Sequence, residues 1–336
     1  MRLPCQEEVY EAQQPATVPY FQPFLNNASL TTEDVAGLSP MAFLIEITSL
    51  WGDVSDKMLR LSLLPMDTYG STFEKLYAAV IQQTDEWAMK LPDDLTITAI
   101  NMQRSMHAKK ANTFVLNHLF YHATLLTLNR YIRSQAVREF TVDQCIRGAR
   151  HHAVEMLRIC LALMQSSQQQ HYHHLTNISP VVGCLVLSAV DVISAVGPIY
   201  DLDETLTLSR GGLMVIKDLA GFWSALMPLA TLAETRIDAL AEANCQNQQQ
   251  QQRQQHHQNS HNHQDQNADA FRQLPVRLGF AVDSPSLDSL RRADPQPLGG
   301  PIRSHDLFYG EIPRMRVLMA LGVVRGSDFD EILRIR

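Results

Sequence analysis

The sequence predicts an all-α, multi-helix bundle, followed by a disordered Gln/His-rich tract and a short C-terminal helical segment. Three observations carry that prediction. Apolar residues recur at helical spacing through several long windows. Only 15 of the 336 residues are glycine, about 4% where globular chains average about 7%, and no run alternates as a strand does. Finally, "NCQNQQQQQRQQHHQNSHNHQDQNAD", Asn244 to Asp269, has almost no apolar residue. It cannot bury enough surface to offset the entropy of ordering, so it reads as disordered. The resulting organisation is an irregular lead-in over 1–30, a helical domain over 31–243, a low-complexity linker over 244–301 and a short helical segment over 302–336.

The helix signals run in order along the chain. Ser39-Pro40 supplies an N-cap and a proline at the first helical position, where its fixed φ and missing donor cost nothing. Phe43, Leu44, Ile47, Leu50, Trp51 and Val54 then form one apolar stripe. "STFE", Ser71 to Glu74, fits a capping box that opens a helix carrying Leu76, Tyr77, Val80, Ile81 and Trp87 to the core. Leu91-Pro92 ends it, because a residue before proline avoids the α region. A long helix is expected from about Ser105 to Arg133. Another is expected from Val142 to Met164, with Cys145, Ile146, Ala149, Ala153, Met156, Leu157, Cys160 and Leu161 on one face. Ser179-Pro180 repeats the serine–proline start. The last long helical region runs from Leu213 to Ala243, bent at Pro228.

Hydrophobic residues make up 45% of the chain and charged residues 19%, which supports a substantial core. The formal net charge of −7 and pI near 6.0 give none of the basic footprint of a free-standing nucleic-acid binder. Cys5, Cys145, Cys160, Cys184 and Cys245 are odd in number and scattered, as buried thiols of a reducing compartment are. No two have the spacing of structural zinc ligands. The opening "MRLPCQEEVYEAQQP" lacks the apolar core of a signal peptide and the arginines of a transit peptide. "SPVVGCLVLSAVDVISAVGPIY", Ser179 to Tyr200, approaches membrane-span length. Asp191 near its centre would cost roughly 2.5–3.5 kcal/mol to insert, and its flanks carry no positive charge. It therefore reads as a buried bundle helix, with no membrane partner.

Candidate chemistry is sparse. His118 and His122 lie four apart, on one helical face. The zinc-protease signature needs glutamate directly after the first histidine, and Leu119 stands there. Phe114, Val115, Leu119, Leu125, Leu126 and Leu128 fill a core stripe at whose border these histidines pack and hydrogen-bond. His171 to His174 and the histidines from His256 to Asp265 read as spacer sequence with at most weak metal affinity. Asp93-Asp94 fits N-capping of the next helix better than magnesium chelation. "SRGGLMVIK", Ser209 to Lys217, lacks the later glycine and lysine of a P-loop and reads as a turn before a helix. No hydrolase elbow or dinucleotide fingerprint occurs. The expectation is a non-enzyme with no catalytic, cofactor-binding or metal-ligating residue.

Several segments together resemble the central regulatory region of fungal zinc-cluster transcription factors, the fungal-specific transcription factor domain. "RLPCQEEVYEA" looks like that family's short Leu-Pro-Cys-acid-acid segment, so the lead-in resembles part of the regulatory region. "FEKLYAAVIQQTDEWAMKLPDDL", Phe73 to Leu95, is similar to its helix ending in tryptophan and then Leu-Pro. "FVLNHLFYHATLLTLNRYIR", Phe114 to Arg133, resembles its long helix with a Tyr-His pair and a later arginine, here Tyr121, His122 and Arg130. Ser179-Pro180 and the apolar helix after it resemble the next element. The likeness covers about residues 1–240. It implies an all-α regulatory domain in a nuclear protein that controls RNA polymerase II transcription through effector or partner binding. Transcription coregulators are the implied partners, and a homodimer is compatible with it.

The family's DNA reader is a basic six-cysteine module holding two zinc ions. The five cysteines here have other spacings, so zinc and DNA binding are expected only in an upstream module or a partner. "SDFDEIL", Ser327 to Leu333, has a composition compatible with a coactivator-binding helix or with plain surface packing. The competing readings are a helical enzyme acting on an apolar small molecule and an interaction scaffold without its own DNA reader. A convergent polar pocket would favour the enzyme, and self-association in solution would favour the scaffold.

Overall fold

A computed structural model describes residues 2–16, 18–21, 37–169, 175, 178–194 and 202–242. Nine α-helices and no strands occur among the described residues. The helices are α1 (Glu7–Glu11), α2 (Pro40–Ser62), α3 (Met66–Lys90), α4 (Ala99–His107), α5 (Ala111–Arg130), α6 (Glu139–Gln169), α7 (Val181–Ser194), α8 (Leu202–Ala220) and α9 (227–242). The Gln/His tract, the histidines 171–174, Cys245 and the "SDFDEIL" segment lie outside the described residues.

α5 forms the spine. Residues on every side of it are buried, from Phe114 and Val115 through Leu119 and Phe120 to Leu128. A helix apolar all round is stable only when neighbours cover all its faces. α2 and α6 supply the two largest contacts, α3, α4 and α7 smaller ones, and α7 and α8 pack in turn on α6. The predicted stripe of α2 is buried except for half-buried Trp51, which packs edge-on to Phe120 with ring centroids 5.3 Å apart. Cys145, Ala149, Ala153, Met156, Leu157 and Cys160 form the inner face of α6, while Ile146 and Leu161 sit at its border.

The N-terminal segment is held on this body. Leu3 is buried, its amide donates to the Pro19 carbonyl at 2.9 Å, and the Pro4 carbonyl accepts from Ser39 N at 3.1 Å. Lys110 Nζ lies 3.1 Å from Glu7 and 3.6 Å from Glu8. A single antiparallel bridge of Cys5 with Leu38 completes the attachment, and one of Arg2 with Tyr20 closes the segment on itself.

Several boundaries differ from the sequence expectation. Helix α3 begins at Met66 behind Pro65, so Ser71 to Glu74 lie inside it and form no capping box. Ser71 Oγ instead donates back to the Thr68 carbonyl at 3.3 Å. Asp93 and Asp94 sit in a 3₁₀ turn, and Thr98 caps α4 by accepting from Asn101 N at 3.1 Å. The helix expected over 105–133 is interrupted between α4 and α5. Lys109 takes φ 58°, while Lys109 N and Lys110 N donate to Met106 and Ser105 carbonyls at 3.0 and 2.8 Å. That is a Schellman ending built without glycine, so the usual cue is missing.

The paired glycines Gly211 and Gly212 lie within α8 rather than in a turn before a helix. A Cβ on Gly212 would fall 2.7 Å from Leu157 Cδ2 and 2.9 Å from Val186 Cγ1. The pair therefore lets α8 approach α6 and α7, which outweighs the helix cost of glycine. The region expected as one helix over 213–243 is two. α8 ends at Ala220, Gly221 to Trp223 turn the chain, and Pro228 stands in the first turn of α9, where proline is tolerated.

Candidate functional site

Helix α5 carries several of the polar side chains that the interior holds, Asn117, His118, Thr124, Asn129 and Arg130. His118 is 5% exposed, and its Nε2 lies 2.8 Å from the Leu95 carbonyl oxygen. A carbonyl only accepts, so His118 carries its proton on Nε2. Tyr121 stacks on Trp87 of α3, with centroids 5.6 Å apart and planes 21° apart. Trp87 Nε1 donates to the Phe43 carbonyl of α2 at 3.0 Å. One position further, His122 Nδ1 faces His152 Nδ1 of α6 at 3.1 Å. At the C-terminal end of α5, Arg130 Nη2 lies 3.5 Å from Asp191 Oδ2 of α7, and Asp191 Oδ1 also meets Arg236 Nε of α9.

Each group has a physical reason for its state. Burial holds His118 well below the ordinary histidine range, at about 4, although the bond to Leu95 favours the charged ring. Burial likewise takes His122 to about 3, reinforced by repulsion from His152, His118 and His151. His152 falls to about 4 through burial and then through His151. All three are therefore neutral near pH 7. Burial raises the thiols of Cys145 and Cys160 to about 12, so neither is a nucleophile near neutral pH. Asp191, at 2% exposure, requires partners because a lone carboxylate in an apolar interior is costly.

The His118 state has a measurable consequence. Its folded pKa lies below the value near 6.5 expected of the unfolded chain. Between the two values the unfolded chain therefore binds more protons. Stability is full above about pH 6.5 and falls as pH drops towards about 4, where this group's contribution levels off. The span corresponds to roughly 3 kcal/mol. His118→Gln is expected to give a shallower loss of stability across that window in urea unfolding followed by circular dichroism. An unchanged slope would show that His118 does not drive the acid sensitivity.

The sequence singled out His118 and His122 as a pair, but the fold separates their roles. His118 tethers the turn at Leu95, and His122 turns to α6. Their spacing gave no access to His152, thirty residues away, or to the Arg130–Asp191–Arg236 triad. The available signal for the triad was Asp191 itself, an acid in a helix otherwise built for burial. Asp93, Asp94 and the Ser209–Lys217 segment join neither cluster.

Among the described residues, no group of three or more His, Cys, Asp or Glu side chains is placed to hold a metal ion. No described helix is long and apolar enough to cross a membrane. The fold defines the class, an all-α helical domain with buried polar ties between helices. Neither protein-family models, curated proteins nor solved structures give a match to the chain.

Proposed function

We propose that the chain is the regulatory region of a nuclear transcription regulator resembling the fungal zinc-cluster type. In this reading it controls RNA polymerase II transcription through effector or partner binding. One observation carries the proposal: the segments bearing the resemblance are tied to one another or to a shared neighbour. Pro4 bonds Ser39 at the start of α2, and Trp87 bonds Phe43 of the same helix while stacking on Tyr121. Arg130 reaches Asp191 in the apolar helix after Ser179-Pro180. Segments far apart in sequence thus serve a common body, as parts of one regulatory domain should. DNA contact and zinc belong in this reading to an upstream module or a partner, and coregulators bind the helical domain.

The test uses the full chain, tagged in its native cell and depleted rapidly. Nuclear enrichment, occupancy at promoters and prompt change in nascent RNA from the neighbouring genes are expected. Exclusion from the nucleus, or promoter occupancy no higher than that of an unrelated nuclear protein, would overturn the proposal.

A further inference from the structure

The His122–His152 pair lies between α5 and α6, and the resemblance, which includes His122 as one of its helix residues, gives the pair no chemical role. Its two Nδ1 atoms face each other at 3.1 Å, both rings are half-buried, and the adjacent His151 is exposed, with its centroid 5.0 Å from that of His152. The gap is thus at the edge of the helix interface, within reach of solvent. We propose that His122 and His152 form an exchangeable binding site for a divalent cation of the zinc class, which clips α5 to α6.

The geometry is the main argument. Two imidazole nitrogens, each about 2.05 Å from a tetrahedral zinc, lie about 3.3 Å apart, close to the 3.1 Å separation here. Imidazole is a preferred ligand of zinc, copper and nickel. The rings come from two helices, so their approach is fixed by packing and the site is substantially preformed. Each ring can present an Nδ1 lone pair to the cation, as metal ligation requires.

Without a cation, the pair forms an N–H···N hydrogen bond, one Nδ1 donating and the other accepting. Zinc takes both lone pairs. The donor ring's proton moves to its Nε2 through solvent, so exchanging hydrogen bond for cation releases no net proton. Two protein ligands with water in the remaining positions make a weaker site than the closed four-ligand sites of zinc fingers. Such a site responds to changing cation supply.

The experiment is hydrogen exchange with mass spectrometry on the full chain, with and without zinc chloride as the probe. A cation bound only when α5 and α6 are docked slows the opening that separates them. At ten times the dissociation constant, exchange through that opening should slow by about tenfold. Protection is expected in peptides spanning 111–130 and 145–160, and its loss is expected in His122→Gln and His152→Gln, each first checked by circular dichroism for native helix content. The wild-type measurement decides even if both variants misfold. Zinc protection confined to 171–174 or 256–263, or none up to millimolar zinc, would overturn the site.

Discussion

Asp191→Asn is expected to destabilise the helical domain by about 3–5 kcal/mol, the range for removing one partner of a buried ion pair. The substitution keeps the shape and removes only the charge. Two arginines, Arg130 at 8% and Arg236 at 3% exposure, then face a neutral amide in place of a carboxylate. For a domain of this size the loss corresponds to about 6–20 °C in Tm. Arg236→Met should cost less, since it leaves Asp191 and Arg130 as a pair and supplies an apolar side chain of similar length. Replacing all three with apolar residues should recover part of the Asp191→Asn loss, because the desolvation cost disappears along with the attraction. Thermal unfolding by circular dichroism orders the variants. A loss below about 1 kcal/mol for Asp191→Asn would match an exposed pair and contradict the burial of the triad.

The triad also marks where sequence reading reaches its limit. Core stripes were legible because burial follows helical period: the α2 residues Phe43, Ile47, Leu50 and Val54 are all buried. Starts set by proline were legible too, as at Ser39-Pro40, because the restriction lies within the residue itself. Local signals misled where two competed. Pro65 fixes the start of α3 before the Ser71–Glu74 pattern can act, and Thr98 takes the cap that Asp93-Asp94 suggested. Gly211-Gly212 looked like a turn because the reason for glycine lies in two other helices, at Leu157 of α6 and Val186 of α7. Pairings such as His122 with His152 and Asp191 with Arg236 follow from helix docking and carry no spacing signature.

Trp87→Ala is the second large effect, with an expected loss of about 3–5 kcal/mol. Trp87 is 2% exposed and bridges three elements at once. It projects from the C-terminal part of α3, donates to the Phe43 carbonyl on α2 and stacks on Tyr121 of α5. Truncation removes the ring volume, the stacking and the hydrogen bond together. Trp87→Phe separates these contributions, since it keeps an aromatic face for Tyr121 and removes the donor. The hydrogen bond contributes only about 1 kcal/mol net, so most of the Phe variant's loss should come from the smaller ring. The expected order in urea unfolding is therefore wild type, Phe, Ala, with the larger step between Phe and Ala. Equal losses in the two variants would mean that the Phe43 contact, rather than packing, fixes α3 against α2 and α5. Because this tryptophan ties the Leu-Pro-terminated helix to the Tyr-His helix, the Ala variant should also raise protease sensitivity at residues 91–98. Unchanged cleavage there, despite the lost stability, would show that the turn is held independently of Trp87, by His118 at Leu95 and by Asn101 at Asp93 and Thr96.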